Sequence, residues 1–191
     1  MIGTDMAVGK MTAGLEILRA AREANMRAEF VATGQIGITV TGRGVPLDAV
    51  RVDFAANAVE REVIACAEAE LVIVEGQGAL IHPGSTANLP LLRGSCPTHL
   101  ILCHRAGQST LQRLPEIVIP PLGAYCKLYE DLAEACGTFP RPRTAAVALN
   151  TGHLDDDAAR SACEAIEAEL GVPCADPLRG GASRLLMALQ P

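Results

Sequence analysis

The sequence is poor in aromatic residues and has no long apolar run. Its 191 residues include no Trp, 2 Tyr and 3 Phe, so it offers few aromatic surfaces on which single-stranded nucleic acid could stack. The apolar runs are short, such as LVIV at 71–74, whereas a transmembrane helix needs about 18 apolar residues. The first ten residues lack a basic segment followed by an apolar one, so we expect no secretory signal and no membrane partner.

Positive charge is also scarce. The 16 Lys and Arg residues stand against 22 Asp and Glu, which gives a net charge of −6. This balance does not favour attraction to nucleic acid or to an anionic membrane, and it points to a small-molecule ligand. A hydrophobic fraction of 49% excludes a disordered chain, and the length fits one globular domain.

The sequence lacks CxxC motifs although it has 7 cysteines. An odd number of thiols, most of them in apolar runs, indicates a reducing compartment, and we therefore expect the protein in the cytoplasm. Four residues resemble zinc ligands, but their segment CPTHLILCH predicts a strand whose successive side chains point to opposite faces. We therefore predict no metal site among Cys96, His99, Cys103 and His104.

Apolar spacing along the chain predicts strands that alternate with helices. The predicted helices are 9–26, about 54–68, 122–136, 155–170 and 181–189, and the predicted strands are 27–33, 71–74, 98–104, 143–150 and 172–175. The glycine-rich stretch 34–46 predicts a small hairpin, and Asp53 is the expected N-cap of the second helix. The alternation predicts an α/β fold in three layers, with helices on both faces of a parallel sheet, as in P-loop NTPases.

The segment GTDMAVGKMT at 3–12 has the strongest functional pattern. A glycine-rich turn that opens a helix offers N–H groups and the positive helix end to an anion, and Lys10 can reach phosphate oxygens. The common pattern is G-x-x-x-x-G-K-[ST], in which the last hydroxyl ligates magnesium. Thr4 stands at the first glycine position, Met11 replaces the hydroxyl, and Thr12 is rotated by about 100° on a helix. The predicted phosphate site comprises Gly3, Thr4, Asp5, Val8, Gly9, Lys10, Met11 and Thr12, with the need for magnesium left open.

Polar residues follow the ends of the predicted strands, where parallel sheets bind ligands. We expect Glu75, His104 and Asn150 to face the same cleft as Lys10. Glu75 is a candidate metal ligand, general base or partner of Lys10, and His104 is a candidate base or a structural side chain. Candidate substrate-binding residues are Gln35, Gln77, which can donate to a carboxylate, and Arg179, which either contacts an anion or lies solvated in a loop.

Two motifs in this order resemble a known superfamily. GTDMAVGK followed by VEGQG is similar to the dethiobiotin synthetase superfamily of P-loop proteins. FVATGQIGI, VEGQGALIHP, ALNTGH and VPCADPLRGGASRL extend a closer resemblance to a bacterial family associated with D-glutamate N-acetyltransferase over nearly the whole chain. Asn150 resembles the strand-end Asn that reads a purine in the superfamily; a turn-forming Asn is the alternative.

The resemblance implies two different cofactors. The closer family implies acetyl transfer from acetyl-CoA to the amine of D-glutamate, whereas the superfamily implies ATP, magnesium and activation of a carboxylate or carbamate. Met11 favours coenzyme A, whose phosphates need no magnesium, and we expect its side chain to pack beside Leu15 and Leu18. A non-catalytic nucleotide-binding module is a third hypothesis.

The resemblance also implies an additional N-terminal domain and a full strand before the phosphate loop. Neither precedes Gly3 in this sequence. We therefore expect a single P-loop domain over 1–191, and its association with further copies is left open.

Overall fold

A computed structural model of the protein describes residues 1–190 and contains strands that alternate with helices. The strands are β1 (Ile2–Gly3), β2 (Ala28–Val31), β3 (Leu71–Val74), β4 (His99–Arg105), β5 (Thr110–Leu111), β6 (Leu114–Val118), β7 (Arg143–Asn150) and β8 (Cys174–Ala175). The helices are α1 (Lys10–Glu23), α2 (Gln35–Thr41), α3 (Val52–Ile64), α4 (Asn88–Ser95), α5 (Leu122–Glu134), α6 (Asp156–Leu170) and α7 (Ala182–Met187). Short 3-10 helices lie at Leu47–Ala49 and Pro177–Arg179.

The strands form a parallel central sheet. Four of them pair in the order β1-β4-β7-β8, and β2 pairs with β3, all in parallel. The two groups meet at β1, because the Met1 ammonium donates to the Val74 carbonyl over 2.8 Å. β5 and β6 form a separate antiparallel hairpin. These pairings confirm the predicted α/β class and explain why several strand ends meet at one edge.

Apolar side chains cover both faces of the sheet. Along β4, Ile101 and Cys103 belong to a cluster with Ile17 of α1, whereas Leu100 and Leu102 belong to a cluster with helix α5. Alternate residues of a strand point to opposite faces, so the two clusters lie on opposite sides of the sheet. The sheet therefore forms the middle of three layers.

Two predicted local features are wrong. Residues 34–46 contain helix α2 rather than a hairpin, since Gly37 packs closely against Ala32 and Gly42 ends the helix with a φ of 74°. Helix α3 begins after Arg51, and Asp53 lies inside its first turn without capping it through a side-chain hydrogen bond. An acidic residue in the first turn still interacts favourably with the helix dipole.

All seven cysteines are free thiols. No helix within 1–190 is both long and apolar enough to cross a bilayer. The described part of the chain contains no group of three or more His, Cys, Asp or Glu residues placed to hold a metal ion.

Candidate functional site

The phosphate loop joins β1 to α1 and leaves several backbone donors free. Ala7 and Gly9 have φ values of 55° and 105°, so the backbone turns twice into the left-handed region. The N–H groups of Ala7, Val8 and Gly9 donate to no backbone or side-chain acceptor within 1–190, and no side chain caps α1. Such a concave run of N–H groups at a helix N-terminus binds anions.

Lys10 folds back over this loop. Its Nζ donates to the Asp5 carbonyl over 2.8 Å, and a Cβ on Gly3 would lie only 2.9 Å from Nζ. Burial lowers the pKa of Lys10, and the nearby negative charges of Asp5 and Glu75 oppose this shift. A side chain at position 3 would displace the Lys10 ammonium, and Lys10 is a desolvated cation close to the free N–H groups.

Side chains of the loop also fix its shape. The Asp5 carboxylate accepts hydrogen bonds from the N–H of Met6 (2.6 Å), Nε2 of Gln108 (2.8 Å) and the N–H of Gln112 (2.8 Å). Thr4 Oγ1 lies 2.9 Å from Nδ1 of His104. Both residues belong to the predicted phosphate site, and their side chains connect the loop to the β5–β6 hairpin and to β4.

One cleft lies beside the loop next to Asn150. It has a volume of about 290 Å³, and its lining is Val8, Gly9, Thr12, Ala13, Ala148, Asn150, Gly152, Asp176, Pro177, Leu178 and Arg179. Asn150 Oδ1 accepts from the N–H of Gly152 over 3.2 Å, so the residue does shape the turn. Its Nδ2 makes no hydrogen bond within 1–190 and is not a buried unsatisfied atom, so this donor is accessible. We call this cavity the Asn150 cleft.

Arg179 holds one wall of the Asn150 cleft. Its guanidinium donates to Thr151 Oγ1 (3.0 Å) and to the Leu154 carbonyl (2.6 Å), and it pairs with Asp156. The buried Asp176 supports the same wall by accepting from the Thr151 N–H over 2.9 Å. Arg179 is thus bonded into this wall while its side chain stays 34% exposed. Asp176 was missed as a site residue, although its strand-end position was a signal.

A second cleft lies on the other flank of the loop next to Glu75, and we call it the Glu75 cleft. Its volume is about 530 Å³ and its lining includes Met6, Met11, Thr33, Gly34, Gln35, Leu47, Asp48, Glu75, Gln77, Ser85 and Thr86. The Glu75 side chain is only 5% exposed. Its Oε2 accepts from the N–H groups of Thr33 (2.9 Å) and Gly34 (3.2 Å). No ion pair within 4.0 Å joins it to Lys10, whose Nζ bonds to Asp5 instead.

Met11, Gln35 and Gln77 share the Glu75 cleft. Gln77 lines it, and Gln35 Nε2 donates to Asp48 over 3.1 Å at its edge. Met11 also lines this cleft and is absent from the apolar cluster that contains Leu15 and Leu18, so the expected packing beside them is wrong. The buried residues of α1 include Ala13, Ile17, Leu18 and Ala21 but not Met11. Thr12 lines the opposite cleft, as its rotation predicts.

His104 is buried beside the phosphate loop. It bonds to Thr4 and lines neither the Asn150 cleft nor the Glu75 cleft. Burial lowers its pKa to about 4, so the ring is neutral near pH 7. Glu75, His104 and Asn150 all lie at the expected sheet edge. Glu75 does share a cavity with Lys10, as predicted, whereas Asn150 lines a different cleft and His104 lines neither.

Tyr125 bonds to the start of the loop and packs against Tyr129. Neither tyrosine was predicted as a site residue. Tyr125 Oη donates to the Gly3 carbonyl over 2.9 Å and accepts from the Leu80 N–H over 3.1 Å. Tyr129 Oη donates to Asn88 Oδ1 over 3.0 Å. Their spacing of four residues in a predicted helix placed them on one face, but no local pattern indicated what that face contacts.

A glycine-rich loop between a parallel strand and a helix, with a lysine at the helix start, defines a P-loop protein of the α/β class. Structural comparison supports this class. The chain belongs to the DUF1611 family: the family described as "Domain of unknown function (DUF1611_C) P-loop domain" matches residues 1–186.

Two curated relatives are similar over most of the chain. A protein of Pseudoalteromonas sp and one of Tritonibacter scottomollicae, both named D-glutamate N-acetyltransferase, are each 35% identical over 189 residues. The match covers 98% of this chain and 56% of each relative. The chain therefore spans about half the length of the curated relatives it matches.

Solved structures show the same fold. A crystal structure of a DUF1611 family protein from Anabaena variabilis superposes with a TM-score of 0.95 at 50% identity, covering 98% of this chain and 55% of that one. Cobyrinic acid a,c-diamide synthase from Mycobacterium smegmatis, solved with an ATP analog and magnesium, has a TM-score of 0.54 at 11% identity, with coverage of 97% and 90%. A nucleotide-binding protein from Archaeoglobus fulgidus, in complex with ADP, has a TM-score of 0.54 at 10% identity, with coverage of 100% and 87%.

Proposed function

We propose that this P-loop domain binds acetyl-CoA and serves in the transfer of its acetyl group to the amine of D-glutamate. Met11 carries the choice of acetyl-CoA over magnesium-ATP. Its thioether lines the cleft beside the phosphate loop, at the position where magnesium-dependent P-loop proteins have a hydroxyl ligand. Magnesium requires oxygen ligands in near-octahedral geometry, and a thioether does not supply one.

The free donors of the loop fit the phosphates of coenzyme A. The N–H groups of Ala7, Val8 and Gly9 and the ammonium of Lys10 would bind its phosphate oxygens, which carry negative charge. The adjacent Asn150 cleft combines apolar walls with an accessible amide donor, as a nucleobase site requires. When bound, acetyl-CoA supplies the thioester whose acetyl group is transferred; the chain's own groups bind and orient it.

ATP-dependent chemistry is the second candidate function. The fold is shared with a cobyrinic acid a,c-diamide synthase solved with an ATP analog and magnesium. Adenine and phosphate groups occur in both ATP and coenzyme A, so the Asn150 cleft and the loop suit either ligand. The two proposals differ in magnesium dependence, which makes this the property to measure.

The test is calorimetric titration with acetyl-CoA and with ATP, each in EDTA and in magnesium chloride. We expect acetyl-CoA to bind with the same affinity in both buffers. Binding of ATP that requires magnesium, together with no binding of acetyl-CoA, would return the ATP-dependent ligase to first place.

A substitution at Met11 tests the same point. Met11→Ser restores the hydroxyl, and we expect no gain in ATP hydrolysis because coenzyme A needs no metal at this position. Met187→Ser, on the exposed surface of α7, is the matched control. A clear rise in ATP turnover in Met11→Ser alone would contradict the acetyl-CoA proposal.

We further propose that 1–191 act as one domain in the cytoplasm. Both apolar clusters share strands of one sheet, which supports a single cooperative unit. Seven free thiols suit a reducing compartment. Whether copies of this domain associate is a question for sedimentation measurements.

A further inference from the structure

We propose that the Glu75 cleft binds the primary ammonium group of the acceptor through Glu75 Oε1; the identity of the acceptor as D-glutamate rests on the proposed function. This assigns a role to the flank of the loop opposite the Asn150 cleft. The inference depends on three features: the unused oxygen of Glu75, the charge of the cleft lining and the side chain of Met11.

One carboxylate oxygen of Glu75 has no partner. Both N–H donors from the chain, those of Thr33 and Gly34, bond to Oε2. Oε1 has neither a hydrogen bond nor an ion pair within 1–190, although Glu75 is only 5% exposed. It is not a fully enclosed unsatisfied atom, so it faces accessible space. A carboxylate oxygen in such a site is stabilised by a ligand that donates a charged hydrogen bond.

The backbone around Glu75 fixes the direction of this oxygen. A Cβ on Gly37 would lie 2.5 Å from Oε2, so α2 approaches the carboxylate at a distance that only glycine allows. A Cβ on Gly34 would lie 2.7 Å from Gln77 Nε2, so the amide of Gln77 lies directly against Gly34. Backbone contacts therefore hold the Glu75 carboxylate in place at the wall of the Glu75 cleft, with Oε2 bonded and Oε1 without a partner.

The lining of the Glu75 cleft selects a cation. It includes two carboxylates, Glu75 and Asp48, and no Lys or Arg. The remaining polar groups, among them Thr33, Gln77 and Ser85, have oxygens that can accept hydrogen bonds. This arrangement attracts the ammonium group of the acceptor and disfavours phosphate, so the phosphate ligand of the loop is not expected to enter it, and the carboxylates of the acceptor would stay at the open side of the cleft.

Ammonium and magnesium are both small cations that a carboxylate can bind, and the lining favours ammonium. Magnesium requires six oxygen ligands at fixed angles, and Met11 presents sulfur instead. A primary ammonium needs up to three acceptors and tolerates varied angles. The structure thus assigns the loop and the Asn150 cleft to a phosphate-bearing ligand and the Glu75 cleft to an amine.

The experiment titrates the protein with D-glutamate, glutarate and N-acetyl-D-glutamate in EDTA, without coenzyme A. Glutarate has the same carbon chain without the amine, and N-acetyl-D-glutamate has an amide in its place. We expect D-glutamate to bind and the other two not to bind. Glu75→Gln should weaken D-glutamate binding at least tenfold, whereas Glu68→Gln, an exposed carboxylate on the surface, should leave it unchanged.

Three outcomes would overturn the proposal. They are binding of glutarate as strong as that of D-glutamate, unaltered binding of D-glutamate in Glu75→Gln, and Glu75-dependent binding of magnesium that displaces D-glutamate. Gln at position 75 keeps an oxygen for the N–H groups of Thr33 and Gly34, so the variant should fold, and thermal melts check this. Because no coenzyme A is present, failure of acetyl-CoA to bind leaves this measurement intact, and the two proposals fail separately.

Discussion

Lys10 and Lys127 are the two lysines of the sequence, and they differ in environment. Lys10 is buried beside free backbone donors, whereas Lys127 is exposed and pairs with Asp131. We predict that Lys10→Ala weakens binding of acetyl-CoA by about 1.5–3 kcal/mol, the worth of a charged hydrogen bond, or roughly 10- to 150-fold. Calorimetry measures this change, with Lys127→Ala as the control.

Equal affinities of wild type and Lys10→Ala would contradict a phosphate site at the loop. A loss that also appears in Lys127→Ala would indicate a general effect of net charge. The comparison is clean because each variant removes one positive charge from a chain with a net charge of −6.

His104 predicts a dependence of stability on acidity. Its pKa is about 4 in the folded chain because of burial, against 6.5 for an ordinary histidine. As pH falls from 6.5 to 4, the unfolded chain takes up a proton that the folded chain excludes, so stability falls across this window. The loss attributable to His104 is about 3 kcal/mol, from 1.36 kcal/mol per pKa unit.

The variant His104→Asn isolates this contribution. Asn offers Thr4 a hydrogen-bonding partner near the position of Nδ1 but does not titrate. Urea unfolding at steps between pH 6.5 and 4 should give a flatter stability curve for His104→Asn than for wild type. The exposed His153→Asn is the control, and parallel curves for wild type and His104→Asn would refute the assignment.

The β5–β6 hairpin is fixed to the phosphate loop through Asp5. Its carboxylate accepts from the N–H of Gln112 and from Nε2 of Gln108. We predict that Asp5→Ala lowers the free energy of unfolding by about 1–3 kcal/mol, since these donors lose their acceptor. Hydrogen exchange over 108–118 should become faster, and chemical denaturation gives the energy.

Two substitutions control the Asp5 experiment. Asp5→Asn keeps an oxygen and should lie between wild type and Asp5→Ala, while Asp157→Ala removes an exposed carboxylate and should change little. Unchanged exchange over 108–118 in Asp5→Ala would show that the hairpin holds itself in place.

Helices with a clear apolar periodicity and with capping residues at both ends were predictable from the sequence. α6 begins at the N-cap Asp155, which accepts from the Ala158 N–H, and ends at Gly171 with a φ of 67°, in agreement with the predicted helix 155–170. In 34–46 the glycines suggested a turn, but a helix forms because Gly37 packs against Ala32 and Glu75. The β5–β6 hairpin left no local signal, since Asp5 fixes it from about 100 residues away.

The same distinction applies to the site, in which some parts are formed by one segment of the sequence and others by residues far apart in it. The loop and Lys10 were predictable because one continuous segment forms them. The two clefts were not, because each wall comes from a different strand end, and the strand order decides which flank a residue faces. Tyr125 is a further example, since its contact with Gly3 joins residues 122 positions apart.

Across the molecule, one loop separates two clefts with different chemistry. We predict that Asn150→Ala weakens the binding of acetyl-CoA and leaves the binding of D-glutamate unchanged. Glu75→Gln should weaken the binding of D-glutamate and leave that of acetyl-CoA unchanged. In the double variant each ligand should show only the loss seen in its own single variant, within about 0.5 kcal/mol, because the residues share no partner. Calorimetry of the three variants with each ligand provides the comparison, and a large non-additive term would show that the clefts act as one site.

The tyrosine pair below the loop has a practical consequence for spectroscopy. The sequence has no Trp and only two Tyr, and both are buried with ring centroids 5.3 Å apart. Tyr125 also bonds to Gly3 at the start of the loop, and burial raises its pKa to about 12. Near-ultraviolet dichroism and tyrosine emission of the unlabelled protein therefore come from Tyr125, which bonds to the start of the phosphate loop, and from its neighbour Tyr129, so we expect both signals to report on occupancy of the loop.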